Sequence, residues 1–187
     1  MSNKFEALNV VLGVTGSISA YKAVEIQRLF QKNGHKVSVI LTRSALEFIP
    51  ALTFETFSPG KVYTEMFAPH QDPVLHVNLA RDNDLLLIAP ATANILAKMA
   101  NGIADDLLST AFLAFYKTVV AAPAMNCYML ENPATKDNIA RLRARGIGII
   151  DPDEGSLACN YEGKGRLPEP KHIYDFCIKR ITGAINV

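Results

Sequence analysis

The chain has 187 residues, of which 49% are hydrophobic, and a mean hydropathy of +0.13. That is enough for one domain spanning residues 1–187, and apolar enough that copies of the chain are expected to cover part of the surface. Nineteen Lys and Arg against eighteen Asp and Glu leave a net charge of +1; no basic cluster offers the footprint that nucleic acid requires. Three cysteines, Cys127, Cys159 and Cys177, are odd in number and lack metal-ligand spacing, which argues for a reducing compartment and against a disulfide framework or a zinc site. The first apolar run follows Lys4 and Glu6 and is too short for a signal peptide or a membrane span, so a cytoplasmic protein with no membrane partner is expected.

In chain order, residues 8–14 (LNVVLGV) read as a strand, Thr-Gly-Ser as a turn, and residues 19–31 as a helix closed by Asn33-Gly34. Residues 36–41 predict a second strand, and residues 85–89 (LLLIA) a strand apolar enough to be buried on both faces. Further strands are expected at 118–122 and 147–150, and helices at 93–101, 104–115, 134–145 and 170–181, with Cys177 in the core. This alternation predicts an α/β fold: a single-domain, doubly wound, flavodoxin- or Rossmann-like parallel sheet with helices on both faces.

Ligands in such sheets sit at the carboxyl ends of strands. The turn Gly13-Val-Thr-Gly16-Ser17-Ile-Ser19 aims backbone N–H groups and hydroxyls at a helix N-terminus, which suits a phosphate or is a tight connection only. It is not the dinucleotide pattern G-x-G-x-x-G, and the second strand ends in Thr42-Arg43-Ser44 where a dinucleotide fold places an acid for the ribose. Hydroxyls and a cation suit a mononucleotide, with flavin mononucleotide (FMN) as the natural candidate. Phe48 either packs on an isoalloxazine ring or fills core.

The buried strand runs into Pro90-Ala91-Thr92-Ala93-Asn94. Small residues there admit a planar ring, and Thr92 and Asn94 either cap the next helix or bond the ring edge. Asp105 and Asp106 are assigned to a helix start. After strand 118–122 comes Pro123-Ala-Met125-Asn126-Cys127: the Asn126 amide either caps a helix or binds a carboxylate without neutralising it. His76 is a general base or a structural histidine. The segment 155–168 (GSLACNYEGKGRLP) sets Cys159 among glycines and reads as a lid able to deliver a thiol, and not as a strand; alone, Cys159 would equally be a small core residue.

Taken together, 13–23 (GVTGSISAYKA), His76, 90–109 (PATANILAKMANGIADDLLS), 123–129 (PAMNCYM) and the Cys159 segment resemble phosphopantothenoylcysteine decarboxylase, within the flavin-dependent cysteine decarboxylases. The resemblance covers about Val10 to Pro170. It implies FMN as cofactor, 4′-phosphopantothenoylcysteine as substrate, and a homotrimer or a dodecamer of trimers with each active site between protomers. It further implies His76 as base, Asn126 as carboxylate ligand and Cys159 as proton donor. The flavin would meet Pro90, Ala91, Thr92, Ala93 and Asn94, with its phosphate near Gly16, Ser17, Thr42 and Ser44, while Met125, Ala158, Lys164 and Arg166 would complete the substrate site. The chain departs from the family at Asn160 and Tyr161, where Gly-Asp often follows the cysteine, and at Leu130, where Trp is frequent. The absence of a cysteine-ligating synthetase region before Val187 leads to the expectation of a stand-alone decarboxylase working with a separate synthetase. Alternatives are a peptidyl-cysteine decarboxylase, a flavin prenyltransferase, and a flavin-binding regulatory protein without turnover.

Overall fold

The computed structural model describes residues 7–59, 61–69, 72–156 and 162–184. Strand β1 (Asn9–Val14) leads through a 3-10 turn (Ile18–Tyr21) into α1 (Lys22–Lys32), followed by β2 (Lys36–Leu41), α2 (Arg43–Leu46), α3 (Ala51–Glu55) and β3 (Val62–Tyr63). Next come α4 (Leu75–Asp82), β4 (Leu85–Ala91), α5 (Ala93–Asn101), α6 (Leu107–Ala114), β5 (Thr118–Pro123), α7 (Cys127–Glu131), α8 (Pro133–Ala144) and β6 (Gly148–Ile149). A hairpin of β7 (Asp153–Ser156) and β8 (Glu162–Arg166) precedes α9 (Pro170–Ile181).

Among the described residues, six strands form one parallel sheet in the order β3-β2-β1-β4-β5-β6. This is the Rossmann order, with its topological switch between β1 and β4. Successive side chains alternate between two apolar layers. Val10, Leu12, Leu85 and Leu87 pack with Ile26 and Phe30 of α1 and Ile173 and Cys177 of α9, while Val11, Leu86 and Ile88 meet α4, α5, α6 and α8. All seven residues of β4 are buried, as its unbroken apolarity requires for a strand covered on both faces.

Side-chain caps start α2, α5, α6, α7 and α8. Asp106 accepts the Ser109 N–H at 2.8 Å in a capping box, and Lys98 pairs with both Asp105 and Asp106, so the two acids are structural, as expected. The α1 helix begins three residues later than its pattern suggested, because Ser17 caps a 3-10 turn first. The 155–168 segment, expected to avoid strand structure, instead contributes the end of β7 and all of β8 to an antiparallel pair whose register sets Gly155 opposite Gly163. The expected lid is therefore a hairpin; Ala158 and Cys159 lie outside the described residues. No helix among the described residues is long and apolar enough to cross a membrane.

One buried histidine couples the fold to pH. His35 Nδ1 accepts the Leu8 N–H at 3.2 Å and Nε2 faces the Tyr174 hydroxyl at 3.2 Å, so the bonds need a neutral ring protonated at Nε2. Burial lowers the pKa of His35 below its ordinary 6.5. The unfolded chain takes up this proton first, so the contribution of His35 is complete above about pH 6.5 and is lost as pH falls toward the folded value. Unfolding in denaturant between pH 8 and pH 5.5 is expected to show a falling stability, and His35→Gln a smaller slope; an unchanged slope would remove His35 as its source.

Candidate active site

The carboxyl ends of β1, β4 and β5 open on one cleft of about 650 Å³, lined by Gly16, Ser17, Thr92, Ala93, Met125, Asn126 and Arg166 among others. At the end of β1 the turn closes on itself: the Ser17 N–H donates to Thr15 O at 2.8 Å, and the Ser17 and Ser19 hydroxyls share a hydrogen bond of 3.0 Å. Gly16 lies hard against Ser44, since a Cβ there would stand 2.5 Å from Ser44 Cβ and 2.9 Å from Ser44 O. Thr42 caps α2 through Oγ1, and its N–H donates to Val14 O at 3.1 Å. The predicted phosphate residues Gly16, Ser17, Thr42 and Ser44 thus cluster at the ends of β1 and β2. Phe48 is 50% exposed, so it is a surface residue and not part of the core.

Pro90 and Ala91, read as loop, are the buried last residues of β4 and do not line the cleft; Thr92 and Ala93 do. Thr92 is the α5 cap, accepting the Ile95 N–H at 3.4 Å, and Asn94 is exposed beside it. The loops are stitched together laterally. Buried Thr15 donates its hydroxyl to Pro90 O at 2.7 Å and accepts the Thr92 N–H at 3.1 Å. The Ala124 N–H then donates to Ala91 O at 3.0 Å, and the Met125 N–H to Gly165 O of the hairpin at 3.1 Å.

Asn126 is the helix cap weighed for it, and it also lies at the cleft. Its Oδ1 accepts the Tyr128 N–H at 2.8 Å as the cap of α7, while the residue lines the cleft beside Met125. Arg166 also lines the cleft, crossing Gly155: a Cβ at Gly155, whose φ is +147°, would stand 2.8 Å from Arg166 Nη1. Lys164, expected at the substrate, is placed elsewhere: it stands 3.7 Å from Asp151 and lines a hollow of about 250 Å³ beside α8. His76 sits on α4 and does not line the cleft of its own chain among the described residues. Its Nδ1 is buried with no hydrogen-bond partner among the described residues, while Val74 at the helix start and Val77 within it are exposed. Sequence reasoning missed Thr15, whose place inside the first motif was the available signal; Lys22 lines the cleft.

The sequence profile of the Flavoprotein family matches residues 1–182. The coenzyme A biosynthesis bifunctional protein CoaBC of Bacillus subtilis (strain 168) is 47% identical over 175 residues, which are 93% of this chain and 43% of that protein, so the chain spans less than half of that relative's length. A solved PPC decarboxylase mutant, complexed with pantothenoylaminoethenethiol, is 32% identical with a TM-score of 0.82 over 96% of this chain and 100% of that one. The FMN-dependent cysteine decarboxylase SpaF is 29% identical with a TM-score of 0.78 over 91% of this chain and 97% of its own. With a profile matched from end to end of the sheet and the site loops in these positions, the chain belongs to the Flavoprotein family.

Proposed function

We propose that the chain decarboxylates 4′-phosphopantothenoylcysteine to 4′-phosphopantetheine with FMN as cofactor, as a step of coenzyme A biosynthesis in the cytoplasm, and that residues 1–187 act as one flavoprotein domain. The observation that carries this reading is that Asn126 lines the same cleft as the Gly16-Ser17 turn and the Thr92-Ala93 loop. The residues fit FMN: Gly16, pressed on Ser44, keeps the turn free of side-chain bulk beside the Ser17 and Ser19 hydroxyls that suit a phosphate, and Ala93 is small enough for a ring. The B. subtilis protein of coenzyme A biosynthesis and the PPC decarboxylase supply the substrate class, and SpaF the cofactor.

Held at its phosphate by Gly16, Ser17, Thr42 and Ser44 and at its ring by Thr92 and Ala93, FMN would supply a reversible two-electron sink for the substrate Cβ. Asn126 holds the carboxylate by hydrogen bonds that leave its charge in place, so the group departs as carbon dioxide when the C–C bond breaks. His76 takes the thiol proton, and Cys159 returns a proton to the substrate carbon after carbon dioxide has left. Since His76 does not line its own cleft, it serves the cleft of a neighbouring copy, in a homotrimer or a dodecamer of trimers whose active sites lie between protomers. The exposed Val74 and Val77 around His76 support that arrangement. A cysteine-ligating synthetase provides the substrate.

Mixing the flavin-loaded protein anaerobically with 4′-phosphopantothenoylcysteine is expected to release one carbon dioxide per substrate and end with oxidised flavin, while Cys159→Ser stops at reduced flavin. Turnover of a C-terminal peptidyl-cysteine in its place would transfer the reading to peptide substrates. Bound flavin without turnover of either would leave a regulatory flavoprotein.

A further inference from the structure

We propose that Lys22 is a specificity-determining residue that binds a phosphomonoester in the cleft, exchanging its present counterion Glu169 for the phosphate. The inference rests on the decarboxylase reading and adds the part of the site that reads the anionic end of a ligand.

Among the described residues that line the cleft, Lys22 and Arg166 are the charged ones, and no acid is among them. The Lys22 side chain is 12% exposed, and an ammonium so enclosed needs an anion. Its carboxylate partner, Glu169 Oε1 at 2.8 Å, is 65% exposed and stands at the start of α9, outside the cleft lining. The pair is therefore lopsided. Water can take over the Glu169 carboxylate at small cost, whereas Lys22 can release it only to another anion.

Arg166 has no acid within ion-pair distance among the described residues. Its charge nevertheless reaches Glu169, whose carboxyl is held below its ordinary range first by the Lys22 hydrogen bond and charge, and further by Arg166. Two cations thus share one exposed monoanion. A phosphomonoester, dianionic near neutral pH, would match both, with Arg166 offering a planar fork and Lys22 a point charge. A molecule anchored at Asn126 by its carboxylate lies in this same cleft, so the substrate's phosphate is one source of that chemistry and the flavin's phosphate is the other.

The test uses Lys22→Met and Glu169→Gln. One arm titrates the flavin-free protein with FMN and with riboflavin by fluorescence. The other measures kcat/KM of the flavin-loaded enzyme for 4′-phosphopantothenoylcysteine and for its dephosphorylated form. Lys22→Met is expected to reduce the preference for the phosphorylated partner by about tenfold or more in one arm, as for loss of a charge-assisted hydrogen bond. Glu169→Gln is expected to raise the preference in that same arm, because the competing carboxylate is gone. The arm that moves names the source. A merely structural ion pair would make both variants change in the same direction, and that result, or two arms that stay still, would overturn the proposal. If the wild-type protein turns over neither cysteine substrate, the decarboxylase reading fails while the FMN and riboflavin arm still decides for or against Lys22.

Discussion

Asn126→Asp is expected to fold, to bind flavin and to lose about a thousandfold in kcat/KM for the cysteine substrate. Asp is as good a helix cap as Asn and keeps an oxygen for the Tyr128 N–H, so the start of α7 is preserved. What changes is the field at the substrate carboxylate. Like charges about 4 Å apart repel by about 4 kcal/mol at an effective dielectric constant near 20, which corresponds to about three orders of magnitude in rate. Asn126→Ala makes the complementary case. It removes the cap, at a cost of about 1 kcal/mol in stability, but adds no charge, so its turnover should exceed that of Asn126→Asp while its melting temperature is lower. Steady-state rates set beside thermal melts and flavin content separate the two effects. Turnover by Asn126→Asp within tenfold of wild type would remove Asn126 from the carboxylate site.

Gly16→Ala is expected to yield a folded but colourless protein, with flavin affinity reduced about a hundredfold for an overpacking cost of about 3 kcal/mol taken from the cofactor-binding conformation. The added methyl would stand 2.5 Å from Ser44 Cβ and 2.9 Å from the Ser44 carbonyl oxygen, atoms fixed by backbone that cannot rotate away. The β1 turn and the start of α2 must then part, and these are the two segments expected to share the flavin phosphate. Gly13→Ala is the control. There the new Cβ meets the end of the Leu108 side chain, with Cδ1 at 2.6 Å, and that side chain can change rotamer. Gly13→Ala should lower stability by about 1–3 kcal/mol and keep its colour. Flavin retained by Gly16→Ala at wild-type affinity would place the phosphate elsewhere.

Much of the fold was legible because its signals are local. Residues 36–41, 93–101 and 170–181 begin and end in the structure where their periodicity and flanking caps place them. The apolar run at 85–89 identified the buried strand, although Pro90 and Ala91 extend it. Helix α4 was missed, and with it the setting of His76, because eight residues with polar interruptions carry too short a pattern to register. The hairpin strands were missed because Gly155, Gly163 and Gly165 argue against strand by propensity, while cross-strand pairing, a tertiary matter, decides for it. The site was legible as a set of loops at strand ends. Which side chains turn inward was not: Arg166 enters the cleft and Lys164 goes to Asp151, two residues apart in one strand with the same charge. Lys22 and Glu169 are 147 positions apart, and nothing local in either announces the other.

The lateral bonds from Thr15 through Pro90 and Thr92, from Ala91 to Ala124, and from Met125 to Gly165 bind successive strand ends into one mechanical unit. Linkage across such a unit works in both directions with equal factors. A cofactor that steadied the first turn would also steady the hairpin on the far side of β5, and a ligand that touched the hairpin would tighten the hold on the cofactor by the same factor. A defect introduced at either end is then expected to be felt at the other.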